Sequence, residues 1–313
     1  MQKVSFFGPL DTAFAGTKRT LFAPFDLGKW FALGFSAWLA MLGEQGGSIN
    51  LPSGINEKDM GQLGAGLEEV IRTYMPLIIT VGIAGAVIGL AVIFVLAWLN
   101  ARGKFMFLDN VVAGRSLVKQ PWEQFSAEGN SLFGWMVVYG LGVLALMLLL
   151  VGAGIAAAWP SICGRIFDVR AVTTIASVSV LFLLLAIAMA YVQTFLVDFV
   201  IPIMWKYRVG VVEGWHRFGD LFRQQQGTFL LYGLMRALIV MGAGAAVMLF
   251  GLMTCCCGFM LLLIPYVNAV VLLPVTVFTR LYSVEFLRQF GPEFDVFTAP
   301  TAEPPAIPEK EME

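Results

Sequence analysis

The stretch PLIITVGIAGAVIGLAVIFVLAWLN, residues 76–100, runs for 25 residues without a single charge. A helix needs about 20 apolar residues to cross the hydrocarbon of a bilayer, so this run points to lipid as the solvent. Composition agrees. Of 313 residues 58% are hydrophobic and only 13% charged, against about 25% charged in an ordinary soluble domain. The 33 glycines and 26 phenylalanines suit packed membrane helices, where small residues admit close approach and bulky ones meet lipid. A net charge of -1 gives no footprint for nucleic acid.

Working outward, four more runs of the same kind cover residues 132–159, 172–204, 229–253 and 258–278. A sixth, WFALGFSAWLAMLG at 30–43, is short at 14 residues. Phe25 and Leu27 extend it if Lys29 snorkels to the headgroups; a re-entrant segment is the alternative. The first 27 residues mix charges and lack a continuous apolar core, so no cleavable signal peptide is expected. The expected fold is all-α: a polytopic membrane protein with six transmembrane helices in a single membrane domain, 1–298.

Lysine and arginine set the orientation. With six spans, fifteen of these bases fall on one side, in clusters at 3–29, 102–119, 206–223 and 280–310. Only Lys58, Arg72, Arg165 and Arg170 fall on the other, and Arg236 lies within a span. The positive-inside rule then places both termini in the cytoplasm, in a membrane of the bacterial inner type.

Three cytoplasmic segments look alike: RTLFAPFDLGKWFALGF, PWEQFSAEGNSLFGWMV and WHRFGDLFRQQQGTFLLYG. Each offers an amphipathic piece with aromatics, then Gly28, Gly129 or Gly227, then an aromatic-rich entry into the bilayer. An interfacial helix lying in the headgroups, with a glycine turning the chain into the membrane, fits this pattern. The six spans thus read as three helical hairpins, each preceded by an interfacial helix, in repeat units 10–105, 106–205 and 206–290. The outer loop at 44–74 carries Met60, Leu63, Leu67 and Tyr74 at helical spacing. The tail at 299–313, APTAEPPAIPEKEME, is acidic and Pro-rich and is expected to be disordered.

Asp198, in TFLVDFVIPIMWKYR (194–208), is the one carboxylate wholly inside a span. Counting inward from Lys206 sets it about 12 Å deep, and counting from Gly227 sets Arg236 about 13 Å deep. Consecutive spans are usually neighbours, so the two are expected to pair, since each alone costs several kcal/mol in lipid. Arg102 and Arg280 are rival partners. Pro202 lacks the amide proton that the carbonyl of residue 198 would accept, which predicts a kink. Gln193, Thr194, Asn100 and Asn268 are further polar groups in spans. Such a cluster either lines a pathway or is a structural clasp.

Gly85 and Gly89 form GxxxG in the second span, and Gly242 and Gly244 belong to a small-residue run in the fifth. These faces are expected to pack the chain's own bundle. Cys163, Cys255, Cys256 and Cys257 map to the outer side, where disulfides form if the compartment is oxidising. Three adjacent cysteines lack the spacing of a zinc site, so no metal is expected.

Catalytic signals are missing. His216 is the only histidine, and neither GxSxG, Walker A, nor GxGxxG after a strand occurs. The chain reads as no enzyme and as needing no cofactor. VDFVIPIM, YRVGVVEGWHRFGDLF and LMTCCCGFMLLLIPYVNAVVLLPVTVFTRLYSVEFLRQFGPEF resemble bacterial six-span membrane proteins of unknown function. That group is distantly similar to the membrane domain of some glycerophosphodiester phosphodiesterases. The likeness covers residues 194–294, and the first half in layout only. It implies a membrane module without the hydrolase and carries over no site residues. The expected role is a membrane-embedded module or accessory subunit, with anionic lipid headgroups and another membrane protein as partners. The alternative is a small transporter, channel or lipid-handling protein using Asp198 and Arg236.

Overall fold

The computed structural model describes residues 4–43, 57–164, 169–254, 262 and 264–298. The side chains at 57–73, 76, 78, 158, 160–164, 170 and 171 lie outside that description. Among the described residues every regular element is helical. Helices α1 (Gly8–Phe22) and α2 (Leu27–Met41) lead to α3 (Glu57–Ala113), then α4 (Lys119–Gln124), α5 (Ser126–Gly164) and α6 (Val169–Phe195). A π-helical turn, Leu196–Val200, joins α6 to α7 (Ile201–Tyr207). Helices α8 (Val211–Gln224), α9 (Gln226–Met253), α10 (Pro265–Val271) and α11 (Leu273–Arg288) complete the chain.

Four stretches are long and apolar enough to cross a membrane: Ile79–Ala113, Ser126–Ala157, Val172–Tyr207 and Gln226–Met253. A fifth crossing is possible if α10 and α11, bent by 60° at Leu272, act as one. Pro265 and Pro274 bracket this break, and both sit near helix starts, where a missing N–H costs least. The segment expected as the first span is α2. Its 15 residues reach about 22 Å, short of the roughly 30 Å hydrocarbon layer. Asp26 caps its start by accepting from the Gly28 amide at 2.8 Å, and Gly43, at φ +79°, lies just past its end.

Each long helix has two regimes along its length. In its most apolar stretch none of the residues is buried: Leu77, Ile79, Val87, Ile93 and Val95 of α3 all face outward, as lipid-facing side chains do. Further along, from Asn100 to Val111, nearly every α3 residue is buried. Here α2 lies against it so closely that a Cβ on Gly103 would sit 2.6 Å from the Leu39 carbonyl carbon. Asn100 Nδ2 donates to the Ala40 carbonyl at 2.6 Å across the same contact. α3 stops at Gly114, φ +63°, where Asn110 brackets Leu117 with hydrogen bonds to its N–H and C=O.

The buried ends share an aromatic core. Phe199 stacks on Phe218 at 5.3 Å, Tyr232 on Tyr282 at 5.4 Å, and Phe229 meets Phe286, Phe290 and Phe195. Each fully buried ring contributes about 2 kcal/mol. This core takes up the apolar face of α8, with Val211, Gly214, Phe218 and Leu221 buried, while Glu213, His216, Asp220 and Arg223 point outward. The expectation that α8 rests its apolar face in the headgroups is therefore corrected, because that face is already occupied by protein.

Two further expectations change. Gly28, Gly129 and Gly227 all lie within the first turn of their helices, and none has positive φ. The chain turns two to five residues earlier, at 23–26, Phe125 and Gln225. Gly129 instead admits Arg102, whose Cγ would lie 2.8 Å from an added Cβ. Nor, among the described residues, do Gly85, Gly89, Gly242 and Gly244 pack against another helix of the chain: no atom of one comes within 4 Å of a Cβ placed at any of them. The amphipathic side chains of the 44–74 loop up to residue 73, Cys255 to Cys257 and the tail from 299 lie outside the described residues. Cys163 is described only as part of α5.

Candidate functional site

The polar centre grows from a mismatch in the ladder between α6 and α7. Through the π turn the Ile201 N–H bonds the Leu196 carbonyl, five residues back. The next position in that register is Pro202, which has no N–H to offer the Val197 carbonyl. Arg280 Nη1, from α11, fills the gap by donating to that carbonyl. The sequence placed the orphan carbonyl at Asp198; the π register moves it one residue earlier.

Asp198, 1% exposed, sits in this turn. Arg236 of α9 donates through Nε to Oδ2 at 2.6 Å and through Nη2 to Oδ1 at 3.5 Å. Tyr232, one helical turn before Arg236 on the same face, donates its hydroxyl to Oδ2 at 2.9 Å. The carboxylate is thus met by a guanidinium and a phenol on two rungs of one helix. Arg102, the rival partner, lies elsewhere: it stacks on Trp98 at 4.4 Å and bonds Asn130.

A cavity of about 100 Å³ reaches the pair. Its walls come from α2 (Ala37, Ala40, Met41), α3 (Lys104, Phe107), the π turn (Val197, Asp198), α9 (Arg236) and α11 (Thr276, Thr279, Arg280). Lys104 is 1% and Arg280 6% exposed. Thr276 and Thr279 spend their hydroxyl protons on carbonyls one turn back, Leu273 and Thr276. Nitrogen donors therefore dominate the polar lining.

Of the other residues singled out in the sequence, Asn100 serves the α2–α3 contact, and its Oδ1 has no hydrogen-bond partner among the described residues. Gln193 and Thr194 are half-buried on the last turns of α6, and Asn268 is half-buried in α10; none of the three lines the cavity. Lys206, used as the headgroup boundary in the depth estimate, is itself buried and donates to the carbonyls of Pro292 and Asp295 at 2.8 and 2.9 Å. The count inward from it consequently does not measure depth in a membrane. Lys104 and Tyr232 were not singled out. The signal for Lys104 was the apolar phase continuing past Asn100 through Phe105, Met106 and Leu108; for Tyr232 it was the four-residue spacing to Arg236. Among the described residues no group of three His, Cys, Asp or Glu side chains could hold a metal ion.

Exposed apolar helices around a buried, charge-bearing junction define a multi-pass, all-helical membrane protein. The chain belongs to a family of unknown function, DUF7544, whose model matches residues 5–266. That match takes in the first half of the chain as well as the second. No curated protein and no solved structure matches it.

Proposed function

We propose that this protein is a non-enzymatic, membrane-embedded module that works as a subunit of a larger assembly. The observation that supports this is the open space at Gly85 and Gly89 on α3 and at Gly242 and Gly244 on α9. In lipid, small-residue faces are where helices approach one another, and among the described residues no neighbouring helix approaches them. On this reading the chain crosses the bacterial inner membrane as three hairpins, with α2 as a short first crossing that thins the bilayer locally. Both termini are cytoplasmic, and basic residues at that face meet anionic headgroups. The resemblance of residues 194–294 to six-span membrane proteins of unknown function, a group distantly similar to the membrane domain of some glycerophosphodiester phosphodiesterases, belongs to this reading, as a membrane module lacking the hydrolase. The test is the mass of the purified chain in mild detergent. A stoichiometric assembly that shrinks on Gly85→Leu with Gly89→Leu supports the proposal, and a parent protein of single-chain mass refutes it.

The cavity at Asp198 favours a second reading, a small transporter, channel or lipid-handling protein acting through Asp198 and Arg236. Flux or lipid scrambling in proteoliposomes that is lost in Asp198→Asn supports it. Activity that survives the change removes the site from the path.

A further inference from the structure

We propose that the cavity between α2, α3, α9 and α11 is a binding site for a phosphate group. This goes beyond the assembly reading and does not depend on the chain having a protein partner. Three cationic side chains, Lys104, Arg236 and Arg280, converge on it from three helices, and Asp198 is the one carboxylate among the described lining residues. Lys104, Arg280 and Asp198 are each more than nine-tenths buried, so solvent screens these charges weakly. Placing such groups together inside a membrane protein is costly. A ligand of opposite charge at this junction offsets that cost.

Size and shape narrow the class. A cavity needs roughly 10–15 Å³ to hold one water, so about 100 Å³ admits several waters or one polyatomic anion. A halide would leave most of it unfilled. A guanidinium carries five N–H donors in a planar fork that matches the oxygens of a phosphate, so one group can brace the protein and grip a ligand. Phosphate carries about -1 to -2 charges near neutral pH, the scale on which three cations exceed one carboxylate. With the threonine protons committed to backbone carbonyls, recognition falls to nitrogen donors, as it does for charged oxygens. The phosphate is either a free anion or the headgroup of a lipid.

The experiment measures the thermal midpoint by tryptophan fluorescence. In detergent, inorganic phosphate is compared with potassium chloride at equal ionic strength. In vesicles, phosphatidylcholine is compared with phosphatidylcholine containing phosphatidic acid. A ligand at tenfold its Kd should raise Tm by about 3 °C. A rise with inorganic phosphate identifies a free anion, and a rise confined to phosphatidic acid identifies the lipid headgroup. Lys104→Gln should weaken the affinity about tenfold, which at the same ligand concentration cuts the rise to about 1 °C. A separate pair of variants keeps the test independent of that change. Ala37, 1% exposed on the cavity wall, is replaced by Glu or by Gln, which match in size. Ala37→Glu should be the more stable of the two without added phosphate and should no longer respond to it. The proposal is overturned if neither probe raises Tm above its control, if Lys104→Gln responds as the parent does, or if Ala37→Glu is the less stable of its pair.

Discussion

Replacing Asp198 by Asn keeps shape and volume and removes only the charge, so its cost reports the electrostatics of the junction. Asp198 is 1% exposed and Arg236 about one-fifth exposed. Breaking a buried pair by removing one partner costs about 3–5 kcal/mol, because the other charge stays behind. Partial exposure of Arg236 lowers that figure, while the positive field of Lys104 and Arg280 across the same cavity raises it, so a loss of about 3 kcal/mol is expected. Changing Asp198→Leu together with Arg236→Met removes both charges, and apolar replacement of an entire pair is often neutral. Recovery should be incomplete, since Lys104 and Arg280 lose the carboxylate too. A coupling of about 2 kcal/mol between the two sites is expected from the double-mutant cycle. Unfolding in mixed micelles with increasing SDS gives the four free energies. Strict additivity of the two changes, or a loss below about 1 kcal/mol for Asp198→Asn, would refute the account of the pair as the electrostatic centre of the fold.

The π turn offers a similar cycle. Arg280→Met leaves the Val197 carbonyl without its donor and should cost about 2 kcal/mol, but less in a Pro202→Ala background, where residue 202 regains an N–H; equal costs in both backgrounds, measured by the same titration, would disprove the rescue. Gly103→Val forces its side chain against the Leu39 and Ala40 backbone and should cost about 3 kcal/mol or more. Its effect should appear as faster amide exchange along α2, with exchange unchanged relative to the parent counting against the contact.

How much of this was legible depends on what carried the signal. Charge-free runs such as residues 76–100 report lipid exposure directly, so the long helices could be read from hydropathy. Asp198 and Arg236 could be paired because each interrupts an apolar run and the connection between them is short. Lys104 was hidden by the assumption that a span ends where the first base appears. In fact α3 continues to Ala113, and its last part is buried by protein rather than ended by water. The same assumption misplaced Lys206, which is enclosed by the carbonyls of Pro292 and Asp295. The pattern of α8 showed which face is apolar but not what covers it, since lipid and the rings of Phe195, Phe199 and Phe229 ask for the same residues. The glycines were misread as hinges because composition does not distinguish a residue that frees the backbone from one that makes room for a neighbour, as Gly129 does for Arg102.

The surplus residue in the turn at Leu196–Val200 is absorbed by the wider π turn, so the lipid-facing length of α6 and the interior-facing α7 keep the phase of an uninterrupted helix. Deleting one position inside the turn would let an ordinary α ladder close with both flanks still in phase. Deleting one within α6 proper would not, because each residue advances an α-helix by about 100°. The outer rod would swing by that angle relative to everything downstream, and its apolar stripe would leave the bilayer side or Asp198 would miss Arg236. The turn is therefore the one place along this rod where a residue can be gained or lost without re-aiming its faces.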